Sequence, residues 1–284
     1  MKTNMTREYF LIISIFTLTV SDVYGADTFD EVIVSGTRLS QAGRIVDGSL
    51  TIIDKEQIEL IQPLSVLDLL RRISGIDIMQ AGGSVGSQEI FLRGGDPNFT
   101  MVLLDGVKVN NSTNSRGGGF DFSQLDPKNI ERIEVIHGGL SAVYGSDALA
   151  GIINIITISP SSELEQSISY TYGGRGHHTG RYQIGGSLSK ALNFSLQANL
   201  SDSGEQTEGS ISKRMSLNGR LYGQLASQTN WQFTGFWSDV SNSSYPDASG
   251  GPALAVFPDL ATRDNEQYNI SGLLRHGVLE NVTL

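Results

Sequence analysis

The chain has no cysteine among its 284 residues, which excludes disulfides and thiolate metal ligands. Basic residues are scarce: 20 Lys and Arg against 30 Asp and Glu leave a net charge of −10. Nucleic acid is held by basic faces, so it is excluded as a partner. Beyond residue 25 nothing approaches the ~20 consecutive apolar residues of a membrane helix, so an α-helical membrane protein is excluded as well. Signatures of catalysis and cofactor binding are missing too. Gly82-Gly83-Ser84-Val85-Gly86-Ser87 is rich in glycine, but it lacks the lysine and following helix of a phosphate loop. His177-His178 has no carboxylate close by in sequence and reads as a solvated loop pair rather than a metal site. No Ser, His and acid combination is legible, so the chain reads as a non-enzyme without a cofactor.

What is present starts with an export signal. Lys2 and Arg7 precede an apolar stretch from Tyr9 to Val20, and Val23-Tyr24-Gly25 offers small residues for cleavage after Gly25. About a dozen residues cannot cross ~30 Å of hydrocarbon, so residues 1–25 are a signal peptide and not an anchor.

From residue 26 to 158 the pattern mixes short helices and strands. Residues 26–48 are polar apart from Glu31-Val-Ile-Val-Ser35. A strand at Leu50–Ile53 leads to a helix over Lys55–Ile61, stopped by Pro63. A second helix starts at Ser65, where Ser65 and Asp68 have capping-box spacing. Leu67, Leu70 and Ile73 are its buried stripe, and Gly75 follows it. Strands follow at Ile76–Met79, Glu89–Arg93, Thr100–Leu104 and Val107–Val109, the last two joined by an Asp105-Gly106 turn. Asp126-Pro127 opens a helical turn before the strand from Arg132. This is an α+β domain at 49–158, of a size that supports one modest core.

From Leu164 the hydrophobic period becomes two. Phe194, Leu196, Ala198 and Leu200 alternate with Asn193, Ser195, Gln197 and Asn199; five other stretches behave alike, and Asn281–Leu284 begins a seventh. Short turns at Ser189–Leu192, Ala226–Thr229 and His276–Leu279 alternate with longer loops at Gly173–Thr179, Ser201–Ser212 and Val240–Glu266. Runs of about ten residues with loops long on one side only are the pattern of a transmembrane β-barrel. A soluble sandwich also alternates; the export signal, strand length and loop asymmetry favour the barrel. Tyr172, Trp231 and Trp237 near strand ends fit interfacial girdles. Six or seven strands cannot close a barrel of eight, and an open edge in lipid leaves unpaired backbone groups. Residues 159–284 are therefore expected to be the N-terminal part of a longer barrel, cut short by truncation, a frameshift or an incomplete record.

Two segments carry a resemblance. Ile130 to Thr157, with Val-Tyr-Gly-Ser-Asp-Ala at 143–148, is similar to the end of the plug domain in TonB-dependent outer-membrane receptors. Ile90-Phe-Leu-Arg-Gly-Gly and Met101-Val-Leu-Leu-Asp-Gly-Val-Lys-Val-Asn110 resemble the middle of that domain, most closely in the cobalamin transporter branch. The resemblance implies a plug inside a barrel of about 22 strands, with roughly two-thirds of the wall absent from this chain. His137-Gly138-Gly139 and Ala150 depart from it, where the family usually has Arg-Gly-Pro and Gly.

The family resemblance also assigns roles. Glu31, Val32, Ile33, Val34 and Ser35 stand where such receptors keep the TonB box, an extended segment able to add to a partner's sheet; an ordinary first plug strand is the other reading. Arg93, Asp105 and Arg132 stand in the plug framework that locks plug to barrel, with a plug guanidinium pairing wall carboxylates; for Arg93 the other reading is a surface residue in a hairpin turn. Apical loops carrying Ser84, Val85, Ser87, Asn98, Asn110 and Asn111 would meet the ligand, or serve only as flexible loops. The implied function is TonB-dependent uptake of a metal chelate (cobalamin, or a ferric siderophore or haem) across the Gram-negative outer membrane. Its implied partners are TonB with its inner-membrane energising complex, outer-membrane lipid and the chelate. A rival is a non-transporting remnant whose plug is a periplasmic binding or signalling module.

Overall fold

The structure is a computed structural model and describes residues 49–81, 87–111, 118–159, 163–189, 191–205, 207–226, 229–245, 253–254, 259–279 and 282–283. The expected export segment and the expected box at Glu31–Ser35 lie outside the described residues.

The plug is built on a five-stranded sheet. Strands β1 (Ser49–Ile53), β4 (Thr100–Leu104), β5 (Val107–Lys108), β6 (Ile130–His137) and β7 (Gly151–Thr157) lie in the order β1-β6-β7-β4-β5, with β4 and β7 parallel. β2 (Ile76–Ala81) and β3 (Ser87–Leu92) form a separate hairpin. Helix α1 (Lys55–Ile61) begins where the Asp54 carboxylate accepts Gln57 N–H at 2.9 Å, and it ends at left-handed Gln62 (φ +48°), just before Pro63. In α2 (Val66–Leu70) the Asp68 carboxylate accepts Ser65 N–H at 3.0 Å and Leu64 N–H at 3.1 Å. That capping outweighs the short length. The helix stops earlier than its apolar stripe suggests: Ile73 is buried in the following turn, and Gly75 takes φ +82°. The last plug helix, α3 (Ser141–Tyr144), spans a single turn between β6 and β7.

Val66, Leu67, Leu69 and Leu70 pack with Ile133, Val135, Ile153 and Ile155 in the main core. Each such burial is worth about 1.5–3 kcal/mol. A smaller cluster of Met101, Leu103, Ala148 and Ile152 lies apart from it. Asp105 and Gly106 both have positive φ, +51° and +82°, the type I′ geometry that a two-residue hairpin requires. Ala150 is accommodated because a Cβ on Gly95 would sit 2.8 Å from Ala150 Cβ, so the pair needs one glycine.

The second unit is a seven-stranded antiparallel sheet in chain order: β8 (Glu165–Tyr172), β9 (His178–Ser189), β10 (Leu192–Asp202), β11 (Ile211–Ala226), β12 (Thr229–Ser244), β13 (Ala261–Leu279) and β14 (Val282–Thr283). It is inside-out. Asn193 and Gln197 on β10 are 3% and 2% exposed against the plug, whereas Leu196 and Leu200 are 38% and 58% exposed on the opposite face. Register places Tyr182, Ala198, Leu217, Trp237 and Tyr268 in one row on that outer face. Among the described residues β8 and β14 do not pair, so the sheet is an open, incomplete barrel wall.

Several strands outrun their hydrophobic pattern. The expected Val240–Glu266 loop contracts, because β12 continues to Ser244 and β13 begins at Ala261; the expected turn at His276–Leu279 is strand. Backbone pairing needs no lipid-facing side chains, so the ladder persists where alternation fades. Apolar residues interrupt the polar phase: Phe236 on β12 is 6% exposed and belongs to the main plug core, and Val240 on the same face of β12 is fully buried. The plug core is thus not closed by residues 50–158 alone.

Candidate functional site

The plug meets the sheet through buried ion pairs whose polarity is opposite to that expected from the sequence. The carboxylates are on the plug and the guanidiniums on the wall.

Asp105, in the β4–β5 turn, accepts Thr157 N–H and Thr157 Oγ1–H at 2.9 Å each. Arg220 of β11 bonds the same carboxylate, and both side chains are 9% exposed. Arg220 also donates to Thr157 Oγ1 at 2.8 Å and Ser159 Oγ at 3.2 Å. One wall arginine therefore holds the turn and the point where the plug chain passes into the sheet. Asp126 caps the turn Pro127–Asn129, accepting Lys128 N–H at 2.9 Å. Its other oxygen accepts Arg181 Nε–H of β9 at 2.6 Å and lies 3.7 Å from Arg214 Nη2 of β11. Arg214 Nη1 reaches the carbonyls of Ser123 and Leu125 at 2.8 Å. Asp121 accepts from Arg263 of β13 at 2.9 Å. Gln267 and Asn269 donate to the carbonyls of Val109 and Lys108 at 3.1 and 3.3 Å.

Of the residues expected to lock plug to wall, Asp105 touches the wall. Arg132 pairs with Glu134 of its own strand at 2.8 Å, and Glu134 also accepts from Asn154 at 3.0 Å. Asn154 Oδ1 accepts Gly106 N–H at 3.3 Å, so this buried network buttresses the Asp105 turn from within the plug. Arg93 is exposed at the end of β3 with φ +51°. It makes none of the plug–wall bonds seen among the described residues. Asp121, Asp126, Arg181, Arg214, Arg220 and Arg263 were missed. Their signal was available: arginines in the polar phase of amphipathic strands, and aspartates at the heads of plug turns.

The expected ligand residues divide. Ser84 and Val85 lie outside the described residues, and Ser87 begins β3. Asn110 is spent on structure: its Oδ1 accepts Val102 N–H at 2.7 Å, and its Nδ2 donates to the carbonyls of Thr100 and Gly118. Asn111 N–H bonds the Gly119 carbonyl at 2.9 Å. Asn98 comes near the same loop, since a Cβ on Gly118 would lie 3.8 Å from it. Its Oδ1 is buried without a hydrogen-bond partner among the described residues. Asn98 thus remains open to a ligand, whereas Asn110 shapes the loop.

Beside Asp105 and Arg220 a small polar cavity is lined by Ser195, Gln197, Asn218, Thr234 and Asn269. Lys108 and Asp147 form another plug ion pair at the surface; that hydrogen bond holds the Asp147 carboxyl below its ordinary range.

A plug seated by ion pairs on the polar face of an inside-out sheet narrows the family. Residues 43–152 match the TonB-dependent receptor plug domain. The chain carries a TonB-dependent receptor plug domain. It is 44% identical over 135 residues to a vitamin B12 transporter of Vibrio vulnificus, covering 48% of this chain and 22% of the relative. It is 30% identical over 246 residues to the vitamin B12 transporter of Photobacterium profundum, covering 82% of this chain and 39% of the relative. In fold it is similar to the ferripyoverdine receptor of the Pseudomonas aeruginosa outer membrane, with TM-score 0.67 at 17% identity over 86% of this chain and 34% of that one. The chain thus spans well under half the length of these relatives.

Proposed function

We propose that this chain supplies the plug and first wall strands of an outer-membrane transporter for a metal chelate, with cobalamin as the leading ligand. The observation that carries the reading is the seam itself: buried, charge-assisted bonds join a small α+β domain to the polar face of an amphipathic sheet. Such bonds can be exchanged one for another, which suits a plug that must hold its place yet shift during passage. Support for cobalamin comes from the named relatives; a ferric siderophore is the second ligand class, by likeness of fold to the ferripyoverdine receptor. The chelate binds the apical loops, Asn98 among the contacts. Glu31–Ser35 then engages TonB as an added strand, and the inner-membrane energising complex drives release. The chain is exported by residues 1–25, with the plug at 49–158 and wall strands at 159–284. Seven strands flank the plug on one side, so transport through this fold needs further wall strands.

The test is a chimera in which this chain replaces the corresponding part of a vitamin B12 transporter. Cells lacking their own transporter are assayed for uptake of labelled cyanocobalamin. Uptake is expected. Ile33→Pro, which removes an N–H and fixes φ in the box, should abolish uptake while binding persists. If the chimera reaches the outer membrane but imports nothing, while its plug still binds TonB, the plug is a binding or signalling module instead.

A further inference from the structure

The inner face of β9 to β13 carries charge of one sign among the described residues. Register rows place Arg181, Arg214, Arg220, Arg263 and Arg275 on the face that meets the plug. Across β9 to β13 that face has no carboxylate among the described residues; Glu165 on the edge strand β8 is the one acid sharing it. The acids of these strands, Asp202, Asp239, Asp264 and Glu266, stand on the opposite face. Projected onto β11, the arginines fall at the rows of Ser212, Arg214, Ser216, Arg220 and Gln224. At ~3.4 Å per residue this is a track about 40 Å long.

Every carboxylate found on this track comes from the plug. Asp121 meets Arg263, Asp126 meets Arg181 and Arg214, and Asp105 meets Arg220. Three carboxylates face four guanidiniums, and Arg275 has no carboxylate partner among the described residues. The Nε atoms of Arg214, Arg220 and Arg263 are also buried without hydrogen-bond partners among the described residues. A wall meant only to grip the plug would gain from carboxylates of its own, which would pair its surplus cations.

The geometry points to a latent anion-binding track on the wall, masked by Asp105, Asp121 and Asp126 and uncovered when the plug shifts. Its ligand class is a polyanion, such as a chelate bearing several phosphate, carboxylate or catecholate oxygens. Guanidiniums take such groups bidentately, and a low-dielectric wall of one sign concentrates the opposite charge. The assignment rests on the transport reading, but binding is measured without transport. The full chain, folded in detergent, is titrated calorimetrically with inorganic pyrophosphate at constant ionic strength. Asp121→Asn frees Arg263 and leaves the other pairs in place; Asp126→Asn frees Arg181 and Arg214. Each variant is expected to bind pyrophosphate at least tenfold more tightly than the unaltered chain. Arg263→Gln in the first background and Arg181→Gln/Arg214→Gln in the second should cancel the gain, with circular dichroism unchanged. No gain from Asp121→Asn, or a gain that survives loss of the arginines, overturns the track. Neither result bears on cobalamin uptake by the chimera.

Discussion

Replacing Asp105 by Asn isolates the charge in the plug–wall seam. The residue sits at φ +51°, a region that Asn tolerates as well as Asp, so the turn is unstrained by the change. Asn Oδ1 still accepts Thr157 N–H, and its amide can donate to Thr157 Oγ1 if that hydroxyl turns round. What is lost is the attraction to Arg220, whose side chain is only 9% exposed. A charge pair at ~4 Å in an effective dielectric of ~20 is worth about 4 kcal/mol. Leaving one partner of a buried pair behind costs ~3–5 kcal/mol. The bonds of Arg220 to Thr157 and Ser159 remain, so the expected loss is about 3 kcal/mol, a hundredfold in seam opening. Because the chain has no cysteine, a single Gln124→Cys, at a position 1% exposed beneath the wall, can report opening by its rate of maleimide labelling. In detergent-folded protein, Asp105→Asn should label about a hundredfold faster. Arg220→Gln should be similar, and the double variant should show a coupling of ~2 kcal/mol or more. A coupling under ~0.5 kcal/mol would refute the claim that this pair holds the plug.

Two further outcomes follow from burial and charge. Leu196→Arg, on the exposed apolar face, should lower membrane-fraction yield through a cost of about 2–4 kcal/mol at mid-bilayer, whereas Asn265→Arg on the polar face should not; equal yields would remove the membrane assignment of the outer face. The Lys108–Asp147 bond depresses the Asp147 carboxyl, so its stabilisation is full above the ordinary carboxylate range and is lost only as pH falls through the depressed value. Protection factors of the amides in 141–148, taken against intrinsic exchange at each pH, should therefore stay flat from neutral pH down to about 4 and fall below it, and Asp147→Asn should abolish that fall.

Much of this was legible because local and global signals agree. Helix α1 starts at a capping Asp and stops before a Pro, and the Asp105-Gly106 turn needs positive φ at two positions that both tolerate it. The period-two alternation identifies which face of each wall strand is exposed and apolar and which is turned to the plug. Less legible was anything decided by what an element packs against. Alternation fades where a strand's outer face turns polar, so the ends of β12 and β13 read as loop. The ionic seam pairs residues up to 142 apart in sequence, and no local pattern says which arginine meets which aspartate. The pairing of Arg132 with Glu134, two residues on and on the same face of its strand, is the local exception.

Phe236 shows how closely the two units depend on each other. It occupies a polar-phase position, at the row of Asn218, Gln197 and Asn269, yet it joins the plug core and is 6% exposed. An aromatic ring at such a place contributes burial on the order of 3 kcal/mol or more, comparable with the Asp105–Arg220 pair. The two act differently. The ion pairs are directional and exchangeable, and they set the register of plug against wall. The ring is a non-directional apolar contact that loses area steadily as the plug slides. A seam combining both resists small displacements through burial and larger ones through charge.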